Sequence, residues 1–378
     1  MITLTLKWMG RLKEIEFPCT DTELQAKLAD LRPPDASPAE IFVSSVEEPT
    51  ALCMLETQFV NLDEINFLAK RMESFDYDEL LQFYAAAQYE GFLYPKDLIN
   101  LTFNLPRYTV IHDLRNMETV GKAHYMNIHG CITHEQQKKT DFASIGRELI
   151  RSGNGTATEF GLLFKNDDIP IVEAYDGVTF PEYYYGHTLI SATIDFEGRT
   201  EYLYLPCDDL AITKAMYRVG AANIDEVHID IFDINMNDPA WYERLKQILR
   251  DGSIYDVNEV VEAIDEADMD LMKLSAVMEY ADRTDAPAIV ALAQNLVHFR
   301  YLPYGSDMED VGRHFIDTVN EYYIHDDLED YFDYDAFGDH MSELYDGKFV
   351  EHGFVCMEDD CYLQNVLAHV QDEGMGGI

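Results

Sequence analysis

The amino-acid sequence predicts an α+β fold: an elongated string of small domains with two tandem copies of a β-β-α-β unit, each followed by a helical unit. Some segments alternate apolar and polar residues, which is typical of strands, and others have apolar residues at helical spacing. The same order of elements returns in the second half, and a chain of 378 residues is long enough for two or three domains. The predicted parts are a first α+β unit (1–48), a first helical unit (49–136), a connector with a hairpin (137–186), a second α+β unit (187–257) and a second helical unit with a strongly acidic C-terminal region (258–378).

The first unit shows the elements of a β-β-α-β arrangement in order. Apolar and polar residues alternate on both sides of Met9-Gly10, which predicts a hairpin. Thr20 and Glu23 have the spacing of a capping box, which predicts the start of a helix. The predicted elements are strands over 2–7 and 12–17, a helix over 23–31 and a strand over 41–46.

The same order returns near the middle of the chain, where Pro206-Cys207 aligns with Pro18-Cys19. The elements expected there are strands over 189–196 and 200–205, a helix over 209–219 and a strand over 227–232. Two further matches extend the repeat. Residues 62–75 have apolar side chains at helical spacing, as Leu271, Leu274 and Met278 do in the second half. Residues 98–126 align without gaps with residues 289–317. Identities are few, so the prediction of two copies depends on the shared order of elements.

Residues 137–186 stand between the copies as the predicted connector. Its sequence predicts a helix over 141–150, a turn at Gly153-Asn154-Gly155, and strands over 160–165 and 169–175 that pair as a hairpin. After the second copy come an acidic stretch over 321–346 and a short strand over 348–357.

The chain carries a large negative charge: 71 acidic and 27 basic side chains give a net charge of −44. Nucleic acids and anionic membrane surfaces attract Lys and Arg, so the charge argues against either as a direct partner and favours a basic protein. An apolar content of 47% is too high for a disordered acidic tail, so the chain is expected to fold.

The sequence also indicates in which cellular compartment the protein is expected. No apolar run reaches the length of a membrane span, about 18–20 residues, and the start lacks the plan of a signal peptide, so a cytoplasmic protein is expected. Six cysteines scattered over the chain are typical of reduced thiols rather than of a disulfide framework.

The acidic residues concentrate towards the end of the chain. Residues 251–378 hold 31 acidic and 5 basic side chains, a net charge of −26. Two triples of acidic residues recur at intervals of four, Asp335, Asp339 and Glu343 in the first and Glu262, Glu266 and Asp270 in the second. Like charges at this spacing cost a helix about 0.2–0.5 kcal/mol per pair, so the two triples favour a functional interpretation. The alternative is that each triple is merely a solvated helix face. The residues expected to carry most of the field, with these triples among them, are Glu262, Glu266, Asp270, Asp326, Asp327, Glu329, Asp330, Asp333, Asp335, Asp339 and Glu343.

The sequence contains no recognisable active site. Residues 233–244 begin like a calcium loop but have Asp238 at the Gly position and Arg244 at the Glu position. A second group has ligand types that suit zinc but no familiar spacing: His124, His129, Cys131 and His134. Phosphate loops and nucleophile elbows are absent from the sequence. The sequence therefore predicts no catalytic residue, no metal and no cofactor, with an enzyme whose site is assembled from distant residues as an alternative.

Two segments resemble a known family. Residues 331–339, Tyr-Phe-Asp-Tyr-Asp-Ala-Phe-Gly-Asp, resemble the tail signature of ArdA antirestriction proteins, and residues 62–69 resemble the core of a family helix. The resemblance covers about 40–130 and 225–357. The chain departs from the family at Asp339-His340, where Arg-Asp is usual, and at 10–12, where a second Gly and a Trp are missing.

The resemblance implies a function and a partner. Members of the family are acidic, elongated chains, carried by plasmids and conjugative transposons, that mimic bent B-form DNA and occupy the DNA groove of type I restriction–modification enzymes. The implied partner is the methyltransferase and specificity core of such an enzyme, and the chain would act as a monomer or homodimer. The alternative is an acidic adaptor or inhibitor of another basic DNA-binding or defence protein.

Overall fold

A computed structural model describes the chain in eight stretches: residues 1–31, 40–183, 188–236, 238–318, 324–325, 329, 331–358 and 361–368. The chain divides into two compact units. The first holds Met1–His187, Thr193–Leu203 and Asp208–Asp230, and the second holds Thr188–Ala192, Tyr204–Cys207 and Ile231–Ile378.

The described residues form a mixed α+β structure of several small sheets among many helices, which confirms the predicted fold class. The strands are β1 (Ile2–Trp8), β2 (Arg11–Phe17), β3 (Glu40–Glu48), β4 (Phe59–Asn61), β5 (Tyr108–Ile111), β6 (Thr156–Thr158), β7 (Gly161–Lys165), β8 (Ile190–Phe196), β9 (Arg199–Leu205), β10 (His228–Ile234), β11 (Phe299–Pro303), β12 (Lys348–Val350) and β13 (Gly353–Met357). The helices are α1 (Asp21–Ala29), α2 (Leu62–Glu73), α3 (Tyr77–Glu90), α4 (Pro95–Thr102), α5 (Met117–His129), α6 (His134–Lys139), α7 (Phe142–Arg151), α8 (Asp209–Val219), α9 (Ala240–Asp251), α10 (Ile254–Glu266), α11 (Leu271–Ala281), α12 (Ala286–Gln294), α13 (Met308–Thr318), α14 (Tyr334–Leu344) and α15 (Leu363–Val366).

The strands form four small sheets within the described stretches. Their strand orders are β2-β1-β3-β4, β10-β8-β9, β5-β7-β6 and β11-β13-β12. The division between the two compact units falls within β8, β9 and β10. None of the described helices is both long enough and apolar enough to cross a membrane.

The first hairpin follows directly from the sequence. The register from Ile2↔Phe17 to Trp8↔Arg11 leaves Met9 and Gly10 in the turn, with φ of 44° and 84°. Two successive positive φ values are what a tight turn needs to match the twist of the strands. The predicted hairpin is confirmed.

Helix α1 begins where its capping residues place it. Thr20 accepts a hydrogen bond from the backbone N–H of Glu23, and the Glu23 carboxylate accepts one from the N–H of Thr20. The predicted capping box is confirmed, and because Thr20 is the cap, the helix starts at Asp21 rather than at Glu23.

The hairpin predicted in the connector is wrong in one strand. Strand β7 pairs with β6 and with β5, while residues 169–175 form no strand. The backbone N–H of Val172 donates to the side-chain amide of Asn104, which donates back to the Val172 carbonyl. Asn100 binds the backbone of Tyr175 in the same way. Side-chain amides thus satisfy the backbone groups that a neighbouring strand would otherwise bind.

Helices α5 and α7 cross very closely within the first compact unit. A Cβ placed on Gly121 would overlap the carbonyl oxygen of Phe142, and one on Gly146 would overlap that of Met117. Two glycines are therefore required at this crossing, because any side chain would push the helices apart.

Candidate functional site

Helix α14 carries the first predicted carboxylate triple. The helix starts after Asp333, whose carboxylate accepts a hydrogen bond from the N–H of Ala336 at 3.1 Å and so caps the helix. Asp335, Asp339 and Glu343 follow at intervals of four residues, and all three are exposed. At 3.6 residues per turn they share one face, as the sequence predicts.

The opposite face of α14 is fixed against the core of the second compact unit. A Cβ on Gly338 would overlap the carbonyl oxygen of Met308, and one on Gly312 would overlap that of Tyr334, so α13 and α14 cross with almost no space between their backbones. The core beside the crossing is formed by Val311, Phe315, Met341, Phe354 and Cys356. The carboxylate face is therefore held on a rigid support.

The carboxylates on the α14 face have no cationic partner among the residues that the structure describes. Among the described residues, no ion pair involves Asp335, Asp339 or Glu343. Arg313, on the helix that α14 crosses, bonds Glu309 at 2.8 Å and stacks on the ring of Tyr334 at 4.0 Å, so its charge is engaged with other groups. The α14 face thus presents three carboxylates to solvent.

The second predicted triple does not lie on one helix. Helix α10 ends at Glu266, and Asp268 and Met269 have φ of 54° and 55°. Asp270 is the cap of α11, where its carboxylate accepts from the N–H of Lys273 at 3.1 Å. The predicted stripe of Glu262, Glu266 and Asp270 is therefore wrong, since the left-handed residues interrupt the helix between its second and third members. All three side chains are nevertheless exposed.

The remaining predicted residues fall between α13 and α14. Glu329 is exposed. Asp326, Asp327 and Asp330 lie outside the described residues. The binding role of the whole set stays a prediction.

The residues considered for metal binding and nucleophilic chemistry have other environments. His124 lies 3.0 Å from the hydroxyl of Thr109, and burial lowers its pKa. Burial raises the pKa of the Cys356 thiol to about 12, so it is not a thiolate at neutral pH. In the part of the chain that the structure describes, no group of three or more His, Cys, Asp or Glu could hold a metal ion.

Sequence reasoning missed the buried charges of the first compact unit. Glu201 is 1% exposed, bonds Arg218 at 3.0 Å and accepts the backbone N–H of Phe180 at 2.9 Å. Burial raises the pKa of Glu201 to about 6. This pair joins β9 to α8 in the first compact unit, whereas α14 belongs to the second. The alternation of residues along β9 is the one sequence signal that points Glu201 inward.

The second half of the chain matches the model of a known family. Residues 197–356 match the family model of ArdA, described as an antirestriction protein. No curated protein matches the chain. The matched region runs from the β8–β9 turn to β13, so it contains α14 and all the predicted binding residues, while residues 40–130 lie outside it. Residues 197–356 are therefore similar to ArdA-type antirestriction proteins.

Proposed function

We propose that the chain is a DNA mimic that occupies the DNA-binding groove of a type I restriction–modification enzyme and so inhibits it. The observation that carries this proposal is that the region matched to the antirestriction family contains the exposed carboxylates of α14, which form no ion pair with any described residue. The chain acts in this account by binding alone, with no catalysis and no cofactor, as a monomer or homodimer.

The physical basis is the likeness of carboxylates to phosphates in charge. Duplex DNA carries one negative charge per about 1.7 Å of its axis, so 44 charges correspond to about 75 Å of duplex. One carboxylate row on a helix offers a charge only about every 6 Å, from four residues at about 1.5 Å each. The α14 row therefore supplies part of the charge density, and neighbouring acidic residues must supply the rest.

A basic groove attracts such a surface through the forces it uses for DNA. Long-range attraction raises the rate of association, and oppositely charged contacts fix the position of the partner. Salt screens these interactions within about 10 Å at 0.1 M ionic strength, so binding weakens as salt rises. Any one carboxylate matters little, while the removal of several together weakens inhibition.

A competition assay tests the proposal. The purified chain is titrated into a type I methyltransferase bound to labelled target DNA, at two salt concentrations. We expect stoichiometric release of the DNA that weakens with salt. A folded chain that releases no DNA at large excess would overturn the proposal, and capture of a different basic DNA-binding protein would then favour the acidic adaptor.

A further inference from the structure

We infer that residues 1–165 (the first copy) repeat the fold of residues 189–357 (the second copy) but lack the strong negative charge of its last part, residues 296–357, so that the restriction enzyme is bound by the second copy alone. This rests on the proposed function. Four structural correspondences and one charge difference carry it.

The first correspondence is the hairpin. Met9 and Gly10, between β1 and β2, have φ of 44° and 84°, and Glu197 and Gly198, between β8 and β9, have φ of 47° and 83°. The strands around these turns have the same order, β2-β1-β3 and β9-β8-β10. Each copy thus begins with the same sheet and the same turn.

The second correspondence is a buried asparagine. Asn66 on α2 accepts from the backbone N–H of Cys19 at 3.0 Å and donates to its carbonyl at 2.8 Å. Asn258 on α10 does the same with Cys207 at 2.9 and 2.6 Å. Helix α2 therefore corresponds to α10, rather than to α11 as the apolar spacing of residues 62–75 predicts.

The third correspondence is the glycine crossing. Gly121 and Gly146 bring α5 against α7, and Gly312 and Gly338 bring α13 against α14. Each glycine faces a carbonyl oxygen of the opposite helix, and in every case that oxygen belongs to the first residue of the helix. Helix α7 is thus the counterpart of α14.

The fourth correspondence is the sheet beside the crossing. The orders β5-β7-β6 and β11-β13-β12 are equivalent. Strand β7 starts at Gly161 with φ of 134°, and β13 starts at Gly353 with φ of 148°. Residues 137–165, predicted as a connector, therefore complete the first copy in the same way that 329–357 complete the second.

The equivalent helices differ in charge. When Gly146 of α7 is aligned with Gly338 of α14, the three carboxylates of α14 fall on one alanine and two arginines. Asp335, Asp339 and Glu343 correspond in this alignment to Ala143, Arg147 and Arg151. Both arginines are exposed. The face that is fully acidic in the second copy is basic in the first.

The charge difference extends beyond α7 and α14 to the rest of the glycine crossing and the sheet beside it. Residues 105–165 contain 8 basic and 6 acidic side chains, a net charge of +2. Residues 296–357 contain 3 basic and 15 acidic side chains, a net charge of −12. A groove built to hold phosphates repels residues 105–165 and attracts residues 296–357, so of these two equivalent parts only the one in the second copy can replace DNA there.

Two triple variants of equal net charge test the inference in the competition assay. The first is Asp335→Asn, Asp339→Asn and Glu343→Gln in the second copy. The control is Glu135→Gln, Glu148→Gln and Glu159→Gln, which removes three exposed carboxylates from the first copy. Circular dichroism and thermal unfolding establish that both variants fold.

We expect the second-copy variant to need about tenfold more protein or higher for half-release of the DNA, and the control to change this by less than about twofold. Equal losses in the two variants would overturn the inference while leaving the mimic itself intact. A wild-type chain that releases no DNA would overturn the proposed function and the inference with it.

Discussion

Lys214 on α8 donates a hydrogen bond from Nζ to Oδ1 of Asp21, next to the cap of α1, at 2.6 Å. The same Nζ lies 2.6 Å from Oδ1 of Asp63 in the first turn of α2. Burial lowers the pKa of Lys214, but the two carboxylates outweigh it and raise the pKa above its usual value. One lysine thus joins three helices of the first compact unit in a chain where acidic residues far outnumber basic ones.

Lys214→Met is expected to destabilise the first compact unit. The change leaves two partly buried carboxylates facing each other without a cation, which we expect to cost about 2 kcal/mol or more. Urea unfolding followed by circular dichroism measures the loss. Lys139→Met is the matched control, because Lys139 pairs with Glu135 on an exposed surface and should change the transition little. A Lys214→Met chain that unfolds at the wild-type urea concentration would contradict the role of this cluster.

Glu201 makes stability depend on pH in a defined window. Its folded pKa of about 6 lies above the usual value of 4.5, so the folded state binds the proton more tightly than the unfolded state. The stabilisation is present below about pH 4.5 and is lost as pH rises through 6, a change of about 2 kcal/mol. Glu201→Gln removes this titrating group. As pH rises from 4.5 through 6, the wild type should therefore lose stability relative to the variant. Parallel curves for the two proteins would show that Glu201 does not titrate there.

Gly338→Ala should disrupt the support of the carboxylate face. Its Cβ would overlap the carbonyl oxygen of Met308, so α13 and α14 must separate and the free energy of unfolding should fall by about 3 kcal/mol. Ala336→Ser, on the exposed side of the same helix, is the control. Unfolding in urea and release of DNA from the methyltransferase are measured together. Wild-type stability in Gly338→Ala would mean that the helices do not cross at this glycine.

Restoring the acidic face in the first copy should add binding. Ala143→Asp, Arg147→Asp and Arg151→Glu give α7 the charge pattern of α14 and make the chain more negative by five charges. We expect tighter inhibition with a steeper salt dependence, because a second mimic surface becomes available. Inhibition curves at two salt concentrations measure both effects. Unchanged inhibition would contradict this prediction, and weaker inhibition would indicate that Arg147 and Arg151 themselves contact the enzyme.

Local rules in the sequence were enough for several elements. The turn at Met9-Gly10 and the capping box at Thr20 depend on neighbouring residues only, so the pattern identifies them. The spacing of Asp335, Asp339 and Glu343 likewise places them on one helix face, because four residues make about one turn.

Other features depend on residues far apart in the chain. Residues 169–175 look like a strand, but Asn100 and Asn104 bind their backbone from much earlier in the chain. The left-handed residues Asp268 and Met269 break the second carboxylate triple, and Asp or Met at positive φ has no clear sequence signal. The carboxylates that Lys214 binds lie on helices in the other half of the sequence. The periodicity of one sequence does not predict contacts over such a separation.

The most direct measurement of the central claim is competition between this chain and DNA for one groove. A type I methyltransferase is titrated with labelled DNA in the presence of fixed concentrations of the chain, at two salt concentrations. A DNA mimic raises the apparent dissociation constant of the DNA in proportion to its own concentration, and the effect falls with salt. A ternary complex in which the enzyme holds both the chain and the DNA would contradict the account.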